Sequence, residues 1–290
     1  MVCFFLKFAY LLLSKLIFIF YYLFTRLNFA RFMKNFIISL ESATERRNHI
    51  DQQFDKHDLS YSFFDALIPD AAKEQANILN IKYDCRYLTD NEFACLMSHV
   101  SLWKKIVDDK IPYMAIFEDD VYLGENAEHY LNNNEWIKPE WHIVKLESFS
   151  TSVFLDKKVH VLNKGERVVR QLMGKNLGAA GYILSQEGAS FLLDYIQKQP
   201  IFEPLDHIMF DQCIKLNLIK VYQMNPALCI QCSVFDGSHS KLPSSLEDER
   251  NLRRRNESKN RSITAKIKRE FYRLYRNLVG LFFSKKVYFK

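Results

Sequence analysis

The sequence predicts an α/β fold, with a mainly parallel β-sheet that helices cover on both faces. From residue 35 onward, short apolar segments alternate with longer segments in which apolar residues are spaced as in helices. The apolar run Tyr113-Met114-Ala115-Ile116-Phe117 leads directly into Glu118-Asp119-Asp120. Acids that follow a buried strand lie where open α/β sheets bind ligands. With 290 residues and 48% hydrophobic content, the chain has enough apolar side chains for a core.

Each element is predicted from its own pattern, taken in chain order. Apolar runs predict strands over residues 36–40, 60–67, 113–117 and 142–146, and residues 177–184 predict a glycine-marked loop that runs into a strand. Spaced apolar residues predict helices over residues 41–58, 187–197 and 207–216. A further helix is expected after Thr89-Asp90-Asn91-Glu92, which has the spacing of a capping box. Its apolar stripe would be Phe93, Leu96, Val100, Trp103 and Val107.

The charge is unevenly distributed along the chain. The whole chain carries a net charge of +6, but residues 250–290 contain fourteen Lys or Arg and two acids, a net +12, so the remainder carries −6.

We expect a globular domain over residues 33–245, a polar basic linker over 246–262 and a basic amphipathic helix over 263–290. Such a helix suits an anionic membrane surface. Its alternative is a helix docked on its own domain. Nucleic-acid binding is not expected, because no nucleic-acid module accompanies the basic run.

Residues 1–32 are dense in Phe, Leu, Ile and Tyr. Because about 20 apolar residues are needed to span a bilayer, and Ser14 and Lys15 interrupt the run, the segment is a marginal anchor. It lacks a small-residue cleavage site, which argues against a removed signal peptide. An upstream extension that is not always translated is the third interpretation.

The glycines and cysteines of the chain indicate which kinds of nucleotide, disulfide and zinc site it can form. The chain has eight glycines and neither a dinucleotide-binding nor a P-loop glycine motif. A nucleotide would need another means of holding its phosphates. Its six cysteines are scattered, which argues against a disulfide framework. Cys229 and Cys232 have the spacing of half a zinc site, but no second pair exists, so buried cysteines are the favoured interpretation.

Seven segments, in the same order and spacing, resemble glycosyltransferase family 25. This family includes bacterial lipooligosaccharide galactosyltransferases and collagen-modifying enzymes. The resemblance covers residues 33–240. The matching segments are Phe36-Ile37-Ile38-Ser39-Leu40 with Glu45-Arg46-Arg47, Phe63-Phe64-Asp65-Ala66, Cys95 to Trp103, Ile116 to Val121, Gly178 to Tyr182, Pro204-Leu205-Asp206-His207, and Asn225-Pro226-Ala227-Leu228. The resemblance implies a GT-A type fold, a UDP-sugar donor, most often UDP-galactose, and a divalent cation bound through the acidic motif.

The acidic motif is the predicted metal site. Adjacent carboxylates repel one another, so a folded chain keeps them together where a cation offsets their charge. Oxygen ligands favour Mg²⁺ or Mn²⁺, of which we expect Mn²⁺. We assign Asp119 and Asp120 to the metal and Glu118 to the sugar or ribose. His239 is a possible third ligand, with an exposed loop histidine as the alternative. An exposed acidic turn is the alternative for the whole motif.

Other residues are candidates for binding the UDP-sugar donor. Arg46 and Arg47 follow the first strand and could clamp a diphosphate, or lie solvated on a helix. Asp65 ends the second strand and could bind the uracil or ribose, or cap a turn. His99 is either part of the donor site or a satisfied core histidine. Gly178 and Gly181 indicate close approach of backbone to a ligand, or tight strand packing.

The acceptor hydroxyl of an inverting transfer needs a general base. Asp206 is the first candidate, with a helix N-cap as its alternative role, and Asp211 is the second.

We therefore expect a UDP-galactose-dependent galactosyltransferase that forms a β-linkage on a lipid-linked oligosaccharide. It would act at the cytoplasmic face of a bacterial inner membrane, bound peripherally or through a single N-terminal anchor. The rival interpretations are a non-catalytic membrane-associated scaffold with the same fold, and a nucleotidyltransferase.

Overall fold

The computed structural model describes residues 32–84, 86–150, 152–237 and 284–290. The strands are β1 (Lys34–Ser39), β2 (Ser62–Asp65), β3 (Tyr113–Glu118), β4 (Val121–Leu123), β5 (Ile143–Lys145), β6 (Ser152–Phe154), β7 (His160–Leu162), β8 (Arg167–Gln171), β9 (Gly181–Ser185), β10 (Val221–Asn225), β11 (Cys229–Gln231) and β12 (Ser284–Lys286). The α-helices are α1 (Thr44–Asp55), α2 (Pro69–Ile78), α3 (Asp90–Asp108), α4 (Glu128–Leu131), α5 (Gln186–Lys198), α6 (Leu205–His207), α7 (Cys213–Lys215) and α8 (Cys232–Phe235). A π-helical turn, Ile208–Gln212, joins α6 to α7.

The central sheet has eight strands in the order β2-β1-β3-β9-β5-β10-β8-β7. β1 is parallel to both β2 and β3, and β5 is parallel to β10. β9 is antiparallel to its neighbours β3 and β5, and β8 is antiparallel to β10 and β7. The expected α/β class is confirmed, but the expectation of a mainly parallel sheet is wrong. An apolar run predicts a buried strand without giving its direction, so the inversion of β9 could not be read from its residues.

Side chains of β3 alternate between two cores, one on each face of the sheet. Met114 and Ile116 pack in the core that contains buried residues of α3 and α5. Ala115 and Phe117 pack in the core that contains residues of α1 and α4. Because successive side chains of a strand point to opposite faces, a fully apolar strand indicates a sheet covered on both sides.

The predicted capping box of α3 is present. The Glu92 backbone N–H donates to Thr89 Oγ1 at 3.1 Å, and the Thr89 backbone N–H donates to the Glu92 carboxylate at 3.0 Å. These two bonds satisfy donors that the start of a helix leaves unpaired. The helix begins at Asp90 and buries Phe93, Leu96 and Trp103 against the sheet.

Two small sheets extend the domain. In the first, β11 pairs antiparallel with β4 and sets Gln231 opposite Val121, next to the acidic motif. In the second, β12 pairs antiparallel with β6. The expected helix over 263–290 is therefore wrong for residues 284–286, which form a strand, and the rest of that range up to residue 283 lies outside the described residues. Pairing with β6, which is distant in sequence, determines the conformation of residues 284–286. The three- and four-residue spacing of apolar residues contains no information about such pairing.

Within the described ranges, no helix combines the length and the apolar character needed to cross a bilayer. The apolar segment of residues 1–31 lies outside those ranges, so its role as an anchor stays a prediction.

Candidate active site

One edge of the sheet collects most of the predicted site residues. Strands β1, β2, β3, β5 and β10 all end at this edge, and the antiparallel β9 begins there. The last residue of β3, Glu118, pairs in register with Ile38, and Phe117 pairs with Gly181. The acids after β3, the loop before α1 and the glycine loop before β9 are therefore neighbours. This is the edge at which open α/β sheets bind ligands.

The acidic motif is buried and carries more negative than positive charge. Asp119 and Asp120 are each only 7% exposed, and Glu118 is partly exposed. Arg46 Nη1 forms an ion pair with Asp119 and lies 3.9 Å from Asp120 Oδ2. The exposed acidic turn considered from the sequence is therefore ruled out for the two aspartates.

The pKa values reflect this imbalance. Burial, together with the charges of Glu118 and Asp119, raises the pKa of Asp120 to about 7, although Arg46 acts in the opposite direction. Burial opposes the charge of Arg46, but Asp119, Asp120 and Glu118 outweigh it and raise the pKa of the guanidinium. Burial is the largest influence on both groups, and one guanidinium faces three carboxylates.

Gln231 of β11 joins two of the acids. Its side-chain amide donates to Glu118 Oε2 at 3.2 Å and approaches Asp120 Oδ1 at 3.4 Å. The Cys232 backbone N–H donates to the Asp120 carbonyl at 2.7 Å. These bonds hold the turn after β3 in place from the side of the small β4–β11 sheet.

Arg47 points to the end of β2. Its guanidinium forms an ion pair with Asp65 and donates to the carbonyls of Ser39, at 3.1 Å, and Leu40, at 3.2 Å. It also lies over the Phe63 ring, with 4.7 Å from Cζ to the ring centroid. Arg46 and Arg47 thus do not form one clamp, because the first faces the acids and the second faces the exposed Asp65.

His99 is fully buried between α3 and β9. Its Nδ1 lies 2.8 Å from the Tyr182 hydroxyl, which also accepts a hydrogen bond from Trp103 Nε1 at 2.9 Å. Its Nε2 lies 3.7 Å from Glu118 Oε1. The histidine is a core residue, but its second nitrogen faces the acidic motif.

The glycine loop before β9 rests on a buried ion pair. Lys145 and Glu147 are both fully buried, and Lys145 Nζ donates to Glu147 Oε2 at 3.0 Å and to the Leu177 carbonyl at 2.9 Å. The Glu147 carboxylate in turn accepts the Ala180 backbone N–H at 3.1 Å. Burial raises the pKa of Glu147, with Lys145 opposing and Glu118 adding to the shift. The pair fixes the path of the loop beside the acids.

Glycine is required at the two positions of the loop for different reasons. Gly178 has φ +86°, and a Cβ there would lie 2.6 Å from both carboxylate oxygens of Glu147. At Gly181 a Cβ would lie 2.2 Å from Cys229 Sγ, so tight strand packing explains this glycine. Both glycines make room for protein atoms among the described residues.

The two candidate bases lie in different surroundings. Asp206 accepts the Gly178 backbone N–H at 3.2 Å and the His207 backbone N–H at 3.0 Å, so its carboxylate contacts the glycine loop. It is not the N-cap of α6, a position that Pro204 occupies. Asp211 is buried between Lys215, at 2.8 Å, and Lys175, at 3.5 Å. None of its described contacts reaches the acidic motif. His239 lies outside the described residues.

The sequence reasoning missed Lys145, Glu147 and Gln231. A signal was present for the first two, because they interrupt the apolar run Ile143-Val144-Lys145-Leu146-Glu147 at its carboxyl end. That is the same kind of signal that identified the acids after β3. Gln231 had no such signal, because its position depends on the pairing of β11 with β4.

A sequence profile described as glycosyltransferase family 25 (LPS biosynthesis protein) matches residues 32–209. The chain belongs to glycosyltransferase family 25. Relatives at 36% and 38% identity agree with this assignment. The first is the lipooligosaccharide biosynthesis protein lex-1 of Haemophilus influenzae, with 76% of this chain and 83% of the relative covered. The second is the lacto-N-neotetraose biosynthesis glycosyltransferase LgtE of Neisseria gonorrhoeae, with 77% and 84% covered.

A third relative, the lacto-N-neotetraose biosynthesis glycosyltransferase LgtB of Neisseria meningitidis serogroup B, is 37% identical, with 77% of this chain and 85% of the relative covered. This family 25 chain is thus a glycosyltransferase of lipopolysaccharide or lipooligosaccharide biosynthesis. Such an enzyme requires a sugar donor and an oligosaccharide acceptor.

The acidic motif of this family 25 chain fits a hard divalent cation. Asp119 and Asp120 offer only oxygen ligands, which Mn²⁺ and Mg²⁺ prefer. Asp119 and Asp120 are buried beside a single guanidinium, that of Arg46, so negative charge exceeds positive charge at this position. A divalent cation at this position would complete the neutralisation.

Proposed function

We propose that this enzyme transfers galactose from UDP-galactose to a lipooligosaccharide acceptor, with inversion to a β-linkage, on a GT-A type fold. The observation that carries the proposal is the pair of buried aspartates beside Arg46 at the carboxyl edge of the sheet. Galactose and inversion come from the family resemblance in the sequence motifs. The donor, the cation and the stereochemistry are each open to direct measurement.

On the donor side, the protein must neutralise a departing diphosphate. A divalent cation held by Asp119 and Asp120 would supply Lewis-acid stabilisation of the leaving UDP. Arg46 lies beside both aspartates, so it can move from Asp119 to a diphosphate oxygen without leaving the site. Asp65, exposed and paired with Arg47 at the end of β2, is the proposed contact for the uracil or ribose.

Next to the acids, Glu118 is the proposed contact for the donor sugar. Gln231 fixes its Oε2, and the buried His99 stands behind its Oε1. Orientation by surrounding groups matters because a small misplacement of a reacting group lowers the rate strongly. The partial exposure of Glu118 leaves room for a sugar hydroxyl.

On the acceptor side, Asp206 is the proposed general base. Each of its carboxylate oxygens accepts one backbone N–H bond, and each oxygen retains a second acceptor position. One of these positions can take the proton of an acceptor hydroxyl as the new glycosidic bond forms. Asp211 is the weaker candidate, because two lysines hold its carboxylate.

The proposed place of action is the cytoplasmic face of a bacterial inner membrane. The apolar residues 1–32 and the basic residues between 250 and 290 would both bring the enzyme to a lipid-linked acceptor and an anionic surface.

The experiment is a donor panel. UDP-galactose, UDP-glucose and UDP-N-acetylglucosamine are each incubated with the enzyme and a lipooligosaccharide acceptor, with Mn²⁺, Mg²⁺ or a chelator, and UDP release is measured. We expect the highest rate with UDP-galactose and Mn²⁺, and loss of the rate with chelator. A nucleotidyltransferase would transfer the uridylyl group and release the sugar 1-phosphate in place of UDP, so sugar 1-phosphate release would indicate that rival. No product from any donor would indicate the rival scaffold.

A further inference from the structure

Three potential metal ligands, one of them from the acidic motif, converge between α3 and β3. Cys95 and His99 are separated by four residues on α3, so they lie on the same face of the helix. Glu118 is the last residue of β3. One ligand atom from each of these side chains lies within 4.8 Å of the other two. We call these three residues the Cys-His-Glu cluster.

The Nε2 atom of His99 carries the first argument. The histidine is fully buried, and among the described residues Nε2 has no hydrogen-bond partner. A buried ring nitrogen without a partner is unfavourable, and such atoms are rare in proteins. The carboxylate oxygen Glu118 Oε1 lies 3.7 Å from Nε2. This distance exceeds the roughly 2.7–3.2 Å of an N–H···O hydrogen bond.

The same distance suits two ligands of one ion. Zinc binds histidine nitrogen at about 2.0–2.1 Å and carboxylate oxygen at about 2.0–2.2 Å. In a tetrahedral site, two such ligands are separated by roughly 3.3–3.5 Å. The separation of 3.7 Å between Nε2 and Oε1 is therefore closer to that of a ligand pair than to that of a hydrogen bond.

The other side of the imidazole is already fixed. Tyr182 Oη lies 2.8 Å from His99 Nδ1, and Trp103 Nε1 donates to the same hydroxyl at 2.9 Å. If Nε2 binds a metal, Nδ1 carries the proton, and its N–H donates a hydrogen bond to Tyr182 Oη. A hydrogen bond on the second ring nitrogen is the usual support of a metal-binding histidine, because it sets the tautomer and the ring orientation.

We propose that the Cys-His-Glu cluster is a binding site for a zinc-class cation, distinct from the oxygen site of Asp119 and Asp120. Thiolate, imidazole and carboxylate together favour Zn²⁺ or Co²⁺, whereas two aspartates favour Mg²⁺ or Mn²⁺. Cys95 is only partly buried, so an ion can reach its thiol. Three protein ligands leave a fourth coordination position for water or a substrate group. The ion would tie α3 to the end of β3 and hold Glu118 against His99.

The test is a titration of the full-length protein with Co²⁺ in the presence of excess Mg²⁺, which is added to fill the proposed oxygen site. Cobalt bound to a thiolate gives a near-ultraviolet charge-transfer band, and tetrahedral cobalt gives intense visible bands. We expect both signals to saturate at one Co²⁺ per chain and to disappear when Zn²⁺ is added. Cys95→Ser should remove the charge-transfer band, and His99→Asn should weaken binding at least tenfold.

Two controls locate the ion. Cys213→Ser removes a buried thiol outside the cluster and should leave the signals unchanged. Asp120→Asn alters the oxygen site and should also leave them unchanged, while donor turnover falls. The proposal is overturned if no thiolate band forms, if the band survives in Cys95→Ser, or if it disappears in Cys213→Ser or Asp120→Asn. Loss of turnover without loss of the band would separate this site from the proposed transferase reaction.

A second measurement does not depend on the folding of a variant. The wild-type protein is treated with a thiol-alkylating reagent, and labelling of the Cys95 peptide is quantified by mass spectrometry. Zn²⁺ should slow the labelling of Cys95 at least tenfold, and Mg²⁺ should not. Equal labelling with and without Zn²⁺ would overturn the proposal.

Discussion

At the residue scale, the site depends on the balance of charge around Asp119 and Asp120. Three carboxylates and one guanidinium share a small volume in which two of the acids are nearly excluded from water. Proteins keep such clusters at functional sites, because an unneutralised buried charge destabilises the fold unless a ligand offsets it. Substitutions at Asp119 or Asp120 should therefore lower activity without lowering the stability of the fold.

Arg46→Lys keeps the positive charge but removes the planar fork that can bind two phosphate oxygens. We expect kcat/KM for the UDP-sugar to fall by roughly tenfold or more, which corresponds to a loss of about 1.4 kcal/mol or more of binding free energy. Most of the loss should lie in KM, because the substitution weakens binding of the donor. Steady-state kinetics over a range of donor concentrations measure this. Arg86→Lys, an exposed arginine away from the acids, is the matched control, and equal effects of the two substitutions would contradict the assignment of Arg46.

Asp120→Asn should change the pH dependence of stability. The pKa of Asp120 is raised from 3.8 to about 7 in the folded protein, so this carboxyl favours folding below pH 4 and that contribution is lost as the pH rises through 7. Asparagine carries no charge at any pH. In metal-free buffer, Asp120→Asn should therefore gain thermal stability over wild type at pH 8 but little at pH 4.

Melting temperatures at the two pH values measure the difference, and about 1 kcal/mol corresponds to roughly 2–4 °C for a domain of this size. Asp194→Asn, which removes an exposed carboxyl from α5, controls for the general effect of charge. If wild type and Asp120→Asn differ by the same amount at pH 4 and pH 8, Asp120 does not carry the raised pKa.

Most residues of the acidic site could be identified from the sequence alone. Asp119, Asp120 and Arg46 were identifiable because each follows an apolar strand, and the parallel strands β1 and β3 bring them to the same edge. The position of Gln231 was not identifiable, since it depends on long-range pairing. The division of roles between Arg46 and Arg47 was also hidden, because adjacent residues on a helix point in different directions.

At the scale of elements, the glycine loop before β9 is positioned by the buried pair Lys145 and Glu147. The loop carbonyls bind the lysine, and the glutamate accepts a loop N–H. Breaking a buried pair by removing one partner typically destabilises a protein by about 3–5 kcal/mol. The loop that carries Gly178 is thus tied to β5 through side chains.

Gly178→Ala tests this arrangement. The backbone at Gly178 has φ +86°, and the added Cβ would lie 2.6 Å from the oxygens of Glu147. We expect destabilisation by about 1–3 kcal/mol for the backbone conformation, and roughly 1–3 kcal/mol more for the displacement of Glu147. Urea unfolding measures the total.

Gly165→Ala is the control, because Gly165 has φ +99° but no atom of the described residues within 4 Å of the added Cβ. It should show the backbone contribution alone. If the two variants are equally destabilised, contact with Glu147 is not what requires glycine at residue 178.

Strand existence was predictable at this scale, and strand direction was not. The apolar runs over residues 36–40 and 113–117 correspond to β1 and β3. The run over residues 177–184 corresponds to β9, but β9 begins at the site instead of ending there. Three-residue strands such as β6, β7 and β12 escaped prediction, because periodicity needs longer segments.

At the scale of the whole molecule, the last residues of the chain belong to the domain. Val287 is buried, and the Phe289 ring packs against Phe235 of α8 with centroids 5.7 Å apart. Arg167 donates to the carbonyls of Pro226, at 2.9 Å, and Lys290, at 2.6 Å. Removing all of residues 262–290 would therefore disturb the fold, so membrane binding is better tested by neutralising charges.

We expect that changing Lys266, Arg269, Arg273 and Arg276 to Gln lowers binding to vesicles that contain phosphatidylglycerol. Each basic residue near an anionic surface contributes about 1 kcal/mol, so the combined loss should be large, and it should be absent with neutral phosphatidylcholine vesicles. Co-sedimentation measures the bound fraction.

A matched control changes four exposed lysines of the domain, Lys56, Lys82, Lys157 and Lys220, to Gln. This variant has the same net charge as the first and should bind as wild type does. Equal losses in the two variants would show that net charge, and not the basic segment, determines binding.

The central claim is that Asp119 and Asp120 support the departure of UDP from a UDP-sugar. The most direct measurement is the rate of UDP release from UDP-galactose with Mn²⁺ and acceptor, compared among wild type, Asp119→Asn, Asp120→Asn and the exposed control Asp70→Asn. We predict that both site variants stay folded and lose about 100-fold or more in kcat, while the control stays within about twofold. Wild-type rates in both Asp119→Asn and Asp120→Asn would contradict the claim.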